Sequence, residues 1–160
     1  MVDLFSVAGK SVLVTGGSRG IGLMIARGFV EAGAKVYISS RKAEVCDRVA
    51  ADLSLAGTCI SLPADLSANA GVEQLASEIS RREPGLNVLV NNAGANWGAP
   101  YAEFPESAWD KVFDLNVKSI FFLTRELTAL LEKAAQPGDP VARVTGRARH
   151  RAGRRRWNAG

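Results

Sequence analysis

Thr15-Gly16-Gly17-Ser18-Arg19-Gly20-Ile21-Gly22 carries the first chemical signal in the chain. Glycines at this spacing let backbone amides approach a pyrophosphate, and a helix that starts there adds the positive end of its dipole. Glycines also serve merely as turns, so the motif counts only if a strand precedes it and a helix follows. Further along lie Asp65-Leu66 and Asn91-Asn92-Ala93-Gly94. Asp65 could contact a ligand or cap a helix, and the two asparagines could contact a ligand or shape a turn. Cys46, Cys59 and the single histidine, His150, fit neither a metal spacing nor a disulfide framework. The chemistry on offer is therefore the binding of a phosphorylated dinucleotide without a metal.

The elements that must position these residues alternate. Ser11–Thr15 is an apolar, β-branched run that stops at Gly16-Gly17, which predicts a buried strand and a tight turn. Ile21, Met24, Ile25, Phe29 and Val30 follow at helical spacing, with Gly33 as the stop. Lys35–Ser39 predicts a second strand, Ala43–Leu55 a second helix, Thr58–Leu62 a third strand, Ala70–Arg82 a third helix and Leu86–Val90 a fourth strand. Pro105 and Glu106 suit the first turn of a long helix reaching Lys133. Its apolar residues, Trp109 and Phe113 among them, cover more than one face and call for burial on two sides. Repeated strand–helix alternation argues for an α/β fold with a parallel sheet and right-handed crossovers.

Composition narrows the class. The 160 residues are 47% hydrophobic and 22% charged, an ordinary globular balance for one domain. No run approaches the roughly 18 apolar residues of a membrane span, and the first ten residues lack the pattern of a secretory signal. These readings place the chain in a reducing cytoplasm. The net charge of +4 is misleading, because Val141–Gly160 holds seven arginines and no acid, whereas residues 1–140 hold 13 basic and 16 acidic side chains. With no Leu, Ile or Phe to bury, residues 141–160 are expected to be a disordered, non-native tail beside a folded unit at 1–140.

The Thr-Gly-x-x-x-Gly-x-Gly spacing, the Asn91–Gly94 motif, Asp65-Leu66 and Asn116 together resemble the short-chain dehydrogenase/reductase family over Leu4–Lys133. Asn92–Gly98 is similar to the NADP-dependent 3-oxoacyl-[acyl-carrier-protein] reductases of the rhamnolipid-biosynthesis type. The resemblance implies the first half of a Rossmann-type, doubly wound sheet with strand order 3-2-1-4. It implies that Gly16, Ser18, Arg19, Gly20, Ile21 and Gly22 contact the pyrophosphate and adenosine ribose. It further implies that Asp65 bonds the adenine amino group with Leu66 beside it, and that Asn92, Ala93 and Gly94 lie at the nicotinamide side. The end of the second strand offers Ser39, Ser40 and Arg41, with no carboxylate to repel a 2′-phosphate. Arg41 and Arg19 could pair with that phosphate, so NADP (NADPH) is the expected cofactor.

The family reduces carbonyls by hydride transfer, using Ser, Tyr-x-x-x-Lys and Asn. Only the Asn, Asn116, has a match. The chain's tyrosines are Tyr37 and Tyr101, and the residues four positions on are Arg41 and Pro105. Ala142-Arg143-Val144 resembles the opening of the family's fifth strand, then the pattern breaks into an Arg/Ala/Gly-rich run, as if a GC-rich gene were read in a shifted frame. The resemblance thus implies reduction of a 3-oxoacyl or similar carbonyl substrate, with this chain truncated or frameshifted and inactive as it stands. Two other readings stand beside it: a catalytically silent NADP-binding module, and a nucleic-acid binder acting through the arginine tail. Family members form homo-oligomers through the long helix and the next one. Without the next helix, assembly is doubtful, and the apolar edge of the fourth strand and the free side of the long helix would face water.

Overall fold

A computed structural model describes residues 6–135 and 143–146. In chain order it contains β1 (Ser11–Thr15), α1 (Gly20–Glu31), β2 (Lys35–Ser39), α2 (Ala43–Leu53), β3 (Thr58–Ser61), α3 (Asn69–Arg82) and β4 (Val88–Asn91). A 3₁₀ turn at Tyr101–Glu103 precedes α4 (Glu106–Phe113), a π-helical segment at Asp114–Lys118, α5 (Ser119–Ala134) and β5 (Arg143–Gly146). The strands form one parallel sheet in the order β3-β2-β1-β4-β5.

Strand alternation sends side chains to two cores. Val12, Val14, Val36, Ile38, Val88 and Val90 face α1 and α2, where they meet Ala26, Val30, Cys46 and Leu53. Leu13, Tyr37 and Leu89 face the other way, against Leu75 and Ile79 of α3 and Leu123 and Leu127 of α5. Each such side chain contributes roughly 1.5–3 kcal/mol by leaving water. This double burial explains why β1 and β4 read as continuous apolar runs rather than alternating ones.

The sheet extends one strand beyond the expected 3-2-1-4 order. Arg143–Gly146 pairs in parallel with Val88–Asn91, and the Arg143 amide donates to the Asn87 carbonyl at 2.8 Å. The first part of the segment expected to be disordered therefore forms a strand. Its composition misled because an edge strand needs little apolar content: Val144 packs on the core while Arg143 and Thr145 are exposed. The open edge now belongs to β5, not β4. The remainder of the expected tail, residues 141–142 and 147–160, lies outside the described residues, as does His150.

The long helix is divided into α4, the π-helical segment and α5, and its free side faces water as expected. One side is buried through Leu115, Leu123, Leu127, Leu130 and Leu131. Among the described residues nothing covers the other side, where Trp109, Phe113, Val117 and Phe121 are between 48% and 61% exposed. Trp109 and Phe113 stack with ring centroids 5.6 Å apart. A contiguous stripe of this kind favours association. Replacing Trp109 and Phe113 together by lysine is expected to lower concentration-dependent self-association, read by sedimentation velocity, with an unchanged melting temperature.

At the end of the sheet away from the glycine motif, Glu83 ties the C-terminus of α3 to β2. Its Oε1 accepts the Tyr37 hydroxyl at 2.6 Å and the Lys35 ammonium at 2.7 Å. Burial pushes the Tyr37 phenol above its ordinary value of 10.0, and the Glu83 bond raises Lys35 above 10.5. Both groups keep their protons longer in the folded state, so their stabilisation is complete below these values and declines as pH rises past 10.0. Tyr37→Phe is expected to flatten the alkaline limb of a pH–stability curve measured by urea denaturation.

Candidate cofactor cleft

Above the C-terminal ends of β1, β2 and β4 lies an open cleft of about 550 Å³. Its floor is the loop between β1 and α1. Gly16 and Gly20 hold φ of +67° and +53°, the left-handed region where a side chain would be strained. The Gly16 and Gly17 amides are already taken, donating to the Ser39 carbonyl at 2.8 and 3.2 Å. The amides available to a ligand are therefore those at the start of α1. There the capping position is Arg19, whose side chain makes no capping bond, so the first-turn N–H groups lack a partner from that source. A Cβ on Gly22 would overlap the Gly16 carbonyl oxygen and the Asn92 side-chain nitrogen. Gly22 thus allows the loop and β4 to close together, a packing role rather than a ligand contact alone.

The loop is locked to β4 by one hydroxyl. Thr15 Oγ1 donates to the Val90 carbonyl at 3.2 Å and accepts the Asn92 and Ala93 amides, each at 3.0 Å. The Asn92 side chain answers by donating to the carbonyls of Thr15 at 3.1 Å and Gly16 at 3.4 Å. Thr15 is 2% exposed and acts entirely through these bonds. In the sequence Thr15 stands only as the first residue of the glycine motif. The missed signal is a hydroxyl residue ending an apolar strand immediately before glycine.

Gly16, Ser18, Arg19, Gly20, Ile21, Gly22, Arg41, Leu66, Asn92, Ala93 and Gly94 all line the cleft. So do Ser39, Ser40, Lys42, Val45, Ala64 and Leu115, and no acidic residue is among the lining. The Ser39 hydroxyl is buried out of reach of the cleft and has no hydrogen-bond partner. Asp65 is the exception among the expected residues. Its neighbours Ala64 and Leu66 line the cleft, whereas its Oδ1 accepts the Ser67 amide at 3.0 Å and the Ser67 hydroxyl at 2.7 Å. Those bonds, with Arg41 adding a smaller effect, hold its carboxyl below the ordinary range. Asp65 shapes the turn before α3 without being its cap, which is Ala68.

A second cavity of about 510 Å³ shares Asn92, Ala93 and Gly94 with the cleft and is also lined by Ile25, Asn91, Asn96, Asn116, Ile120 and Thr145. Asn116 sits in the π-helical segment, and its side chain grips the loop after β4: Oδ1 accepts the Ala95 amide and Nδ2 donates to the Ala95 carbonyl, both at 2.8 Å. A π turn redirects side chains locally and frequently accompanies functional sites. Through these two bonds Asn116 positions the cavity wall. Neither tyrosine lines either cavity: Tyr37 is 0% exposed beside Glu83, and Tyr101 is 100% exposed. Among the described residues no cluster of His, Cys, Asp or Glu could hold a metal, and no helix is long and apolar enough to cross a membrane.

Comparison with known proteins adds a family. The family described as "short chain dehydrogenase" matches residues 10–144. A rhamnolipids biosynthesis 3-oxoacyl-[acyl-carrier-protein] reductase of Pseudomonas aeruginosa is 50% identical over 141 residues, covering 88% of this chain and 55% of that protein. A 5-keto-D-gluconate 5-reductase of Escherichia coli is 33% identical over 129 residues, covering 80% and 51%. Among solved structures, a Pseudomonas aeruginosa RhlG/NADP active-site complex superposes with a TM-score of 0.86 at 49% identity, over 91% of this chain and 57% of the other. L-sorbose reductase from Gluconobacter frateurii, complexed with NADPH and L-sorbose, gives 0.78 at 26% identity, over 84% and 51%. The chain spans about half the length of these relatives.

Removing the Thr15 hydroxyl tests the lock. Thr15→Val keeps the shape and leaves the Ala93 amide without its partner, while the Asn92 amide keeps its bond to the Val90 carbonyl at 3.1 Å, so it is expected to destabilise the fold by about 1–3 kcal/mol. Urea denaturation of the variant against the parent chain measures this.

Proposed function

The chain belongs to the short-chain dehydrogenase family, and from that premise we propose that its cleft holds NADP(H) and that it is the cofactor-binding half of an NADPH-dependent reductase of 3-oxoacyl or similar carbonyl groups. The observation that carries the reading is the combination of a cradle closed to side chains at Gly16 and Gly22 with an acid-free rim bearing Arg19, Arg41 and Lys42. In this reading the start of α1 and Arg19 hold the pyrophosphate, Arg41 holds the 2′-phosphate, and Leu66, Val45 and Ala64 enclose the adenine. Asn92, Ala93 and Gly94 form the boundary with the second cavity, where the carbonyl substrate would sit.

The cofactor supplies a hydride when bound. The chain must then provide a proton donor for the alkoxide that forms, and a group so placed contributes typically 10²–10⁴-fold to rate. Neither tyrosine lines the cavities, so we propose that this chain binds cofactor without appreciable turnover. That observation favours the reading of a silent NADP-binding module as a second possibility for its role. Two free, buried thiols, Cys46 and Cys59, suit a reducing cytoplasm. The exposed stripe on α4 and α5 supports pairing of two copies, as homo-oligomers of the family do.

Calorimetric titration tests the proposal. NADPH is expected to bind at least tenfold more tightly than NADH, and Arg41→Ala is expected to weaken NADPH by about tenfold or more while leaving NADH nearly unchanged. Purified chain given NADPH and a 3-oxoacyl thioester is expected to show no oxidation of NADPH above background. Absence of heat and of thermal protection with NADPH would remove the reading altogether.

A further inference from the structure

The densest charge in the chain plays no part in the cofactor reading. Six of the ten residues from 147 to 156 are arginine, namely Arg147, Arg149, Arg151, Arg154, Arg155 and Arg156, and no acid follows Asp139. Residues 1–140 hold 13 basic and 16 acidic side chains, so the positive charge is gathered in one run joined to a mildly acidic body. The run itself lies outside the described residues, but the point at which it joins the fold is described. It follows Gly146, the last residue of β5, which is in register with Asn91 of β4. Thr145 and Asn91 line the second cavity, so this junction stands at the end of the sheet where the cofactor cleft opens.

A guanidinium stays charged at every working pH and meets a phosphate with a fork of N–H donors. Two kinds of phosphate-bearing surface attract such a run. A membrane surface also asks for an apolar face that enters the headgroups, and residues 147–160 contain Trp157 but no Leu, Ile, Val, Phe or Met. A nucleic acid asks only for the row of cations, and an adjoining aromatic ring adds stacking on an unpaired base. Trp157 stands directly after Arg154-Arg155-Arg156. We propose that residues 147–157 bind single-stranded nucleic acid through its phosphate backbone, without preference for sequence. The acidic body repels the same polyanion and confines the contact to the run. The cleft is a separate cationic site, so this inference does not depend on the cofactor reading.

Fluorescence anisotropy of a short labelled oligonucleotide of mixed sequence, titrated with the full chain, tests the proposal. RNA and DNA versions are expected to bind alike, since the backbone charge is common to both. Neutralising six phosphates of a single strand gives a slope of log affinity against log salt of about −4, so binding weakens about 250-fold between about 50 and about 200 mM salt. Replacing the six arginines by glutamine should abolish binding, whereas replacing them by lysine should keep most of the affinity and the slope. Trp157→Ala should weaken binding by about tenfold through lost stacking. All these substitutions fall after β5, and an unchanged melting temperature separates lost recognition from lost structure. A slope near zero, or a glutamine variant that still binds, overturns the inference. So does displacement of the oligonucleotide by excess NADPH, which would put the nucleic acid in the cleft. Tighter binding to phosphatidylserine vesicles than to the oligonucleotide would overturn it in favour of a membrane surface.

Discussion

The hydroxyl of Thr15 is the point on which the site depends. Three bonds from one buried oxygen join the end of β1 to the turn after β4, and the Asn92 carboxamide completes the joint from the other side. The consequence is a distance constraint. The glycine loop and the Asn92 turn approach so closely that a methyl group on Gly22 has no room, and one on Gly16 would stand 3.0 Å from the Asn92 nitrogen. A loop without its own hydrogen-bonded ladder is thereby tied to two strands of the sheet. Its free amides can be preorganised for an anion only because other amides and side chains are engaged in holding it.

A similar division of labour runs through the asparagines. Asn87 accepts the amide and hydroxyl of Ser11 at 3.0 and 3.1 Å and fixes β4 beside β1 at one end of the sheet. Asn92 fixes the other end, and Asn116 extends the same scheme to the following loop through the π-helical turn. A carboxamide suits these places because it can satisfy a backbone donor and acceptor at once. An Asn in this region is therefore a clamp by default, and its side chain becomes available for recognition only where the backbone leaves it free.

Much of the frame was legible before any coordinates. The continuous apolar runs at Ser11–Thr15 and Lys35–Ser39 matched β1 and β2 residue for residue, since strands buried on both faces leave no ambiguity of period. The glycine motif likewise marked the cleft, because only its placement between strand and helix gives it meaning. What escaped were features decided by distant partners. The pairing of Arg143–Gly146 with β4 depends on a neighbour far back in sequence, and local composition argued against it. The π turn at Asn116 leaves no periodicity of its own within a helix. Tyr37 was visible as a core residue, but its bond to Glu83 spans 46 positions.

Charge shows the same separation between whole-chain quantities and local ones. The sequence as a whole carries +4, a value produced by the arginines after Val141, while the preceding 140 residues are net acidic. Neither number describes the cleft. Its rim collects Arg19, Arg41 and Lys42 without an acid in the lining, and one oxygen of nearby Asp65 accepts the Ser67 amide and hydroxyl. Low-dielectric walls beneath that rim, from Val45, Ala64, Leu66 and Leu115, concentrate the field of the three cations where a phosphate would arrive. An acidic body with a locally cationic cleft attracts a polyanionic ligand to one place and repels it elsewhere. A cleft that favours phosphate groups thus depends on where the charges stand and does not require the chain to be basic.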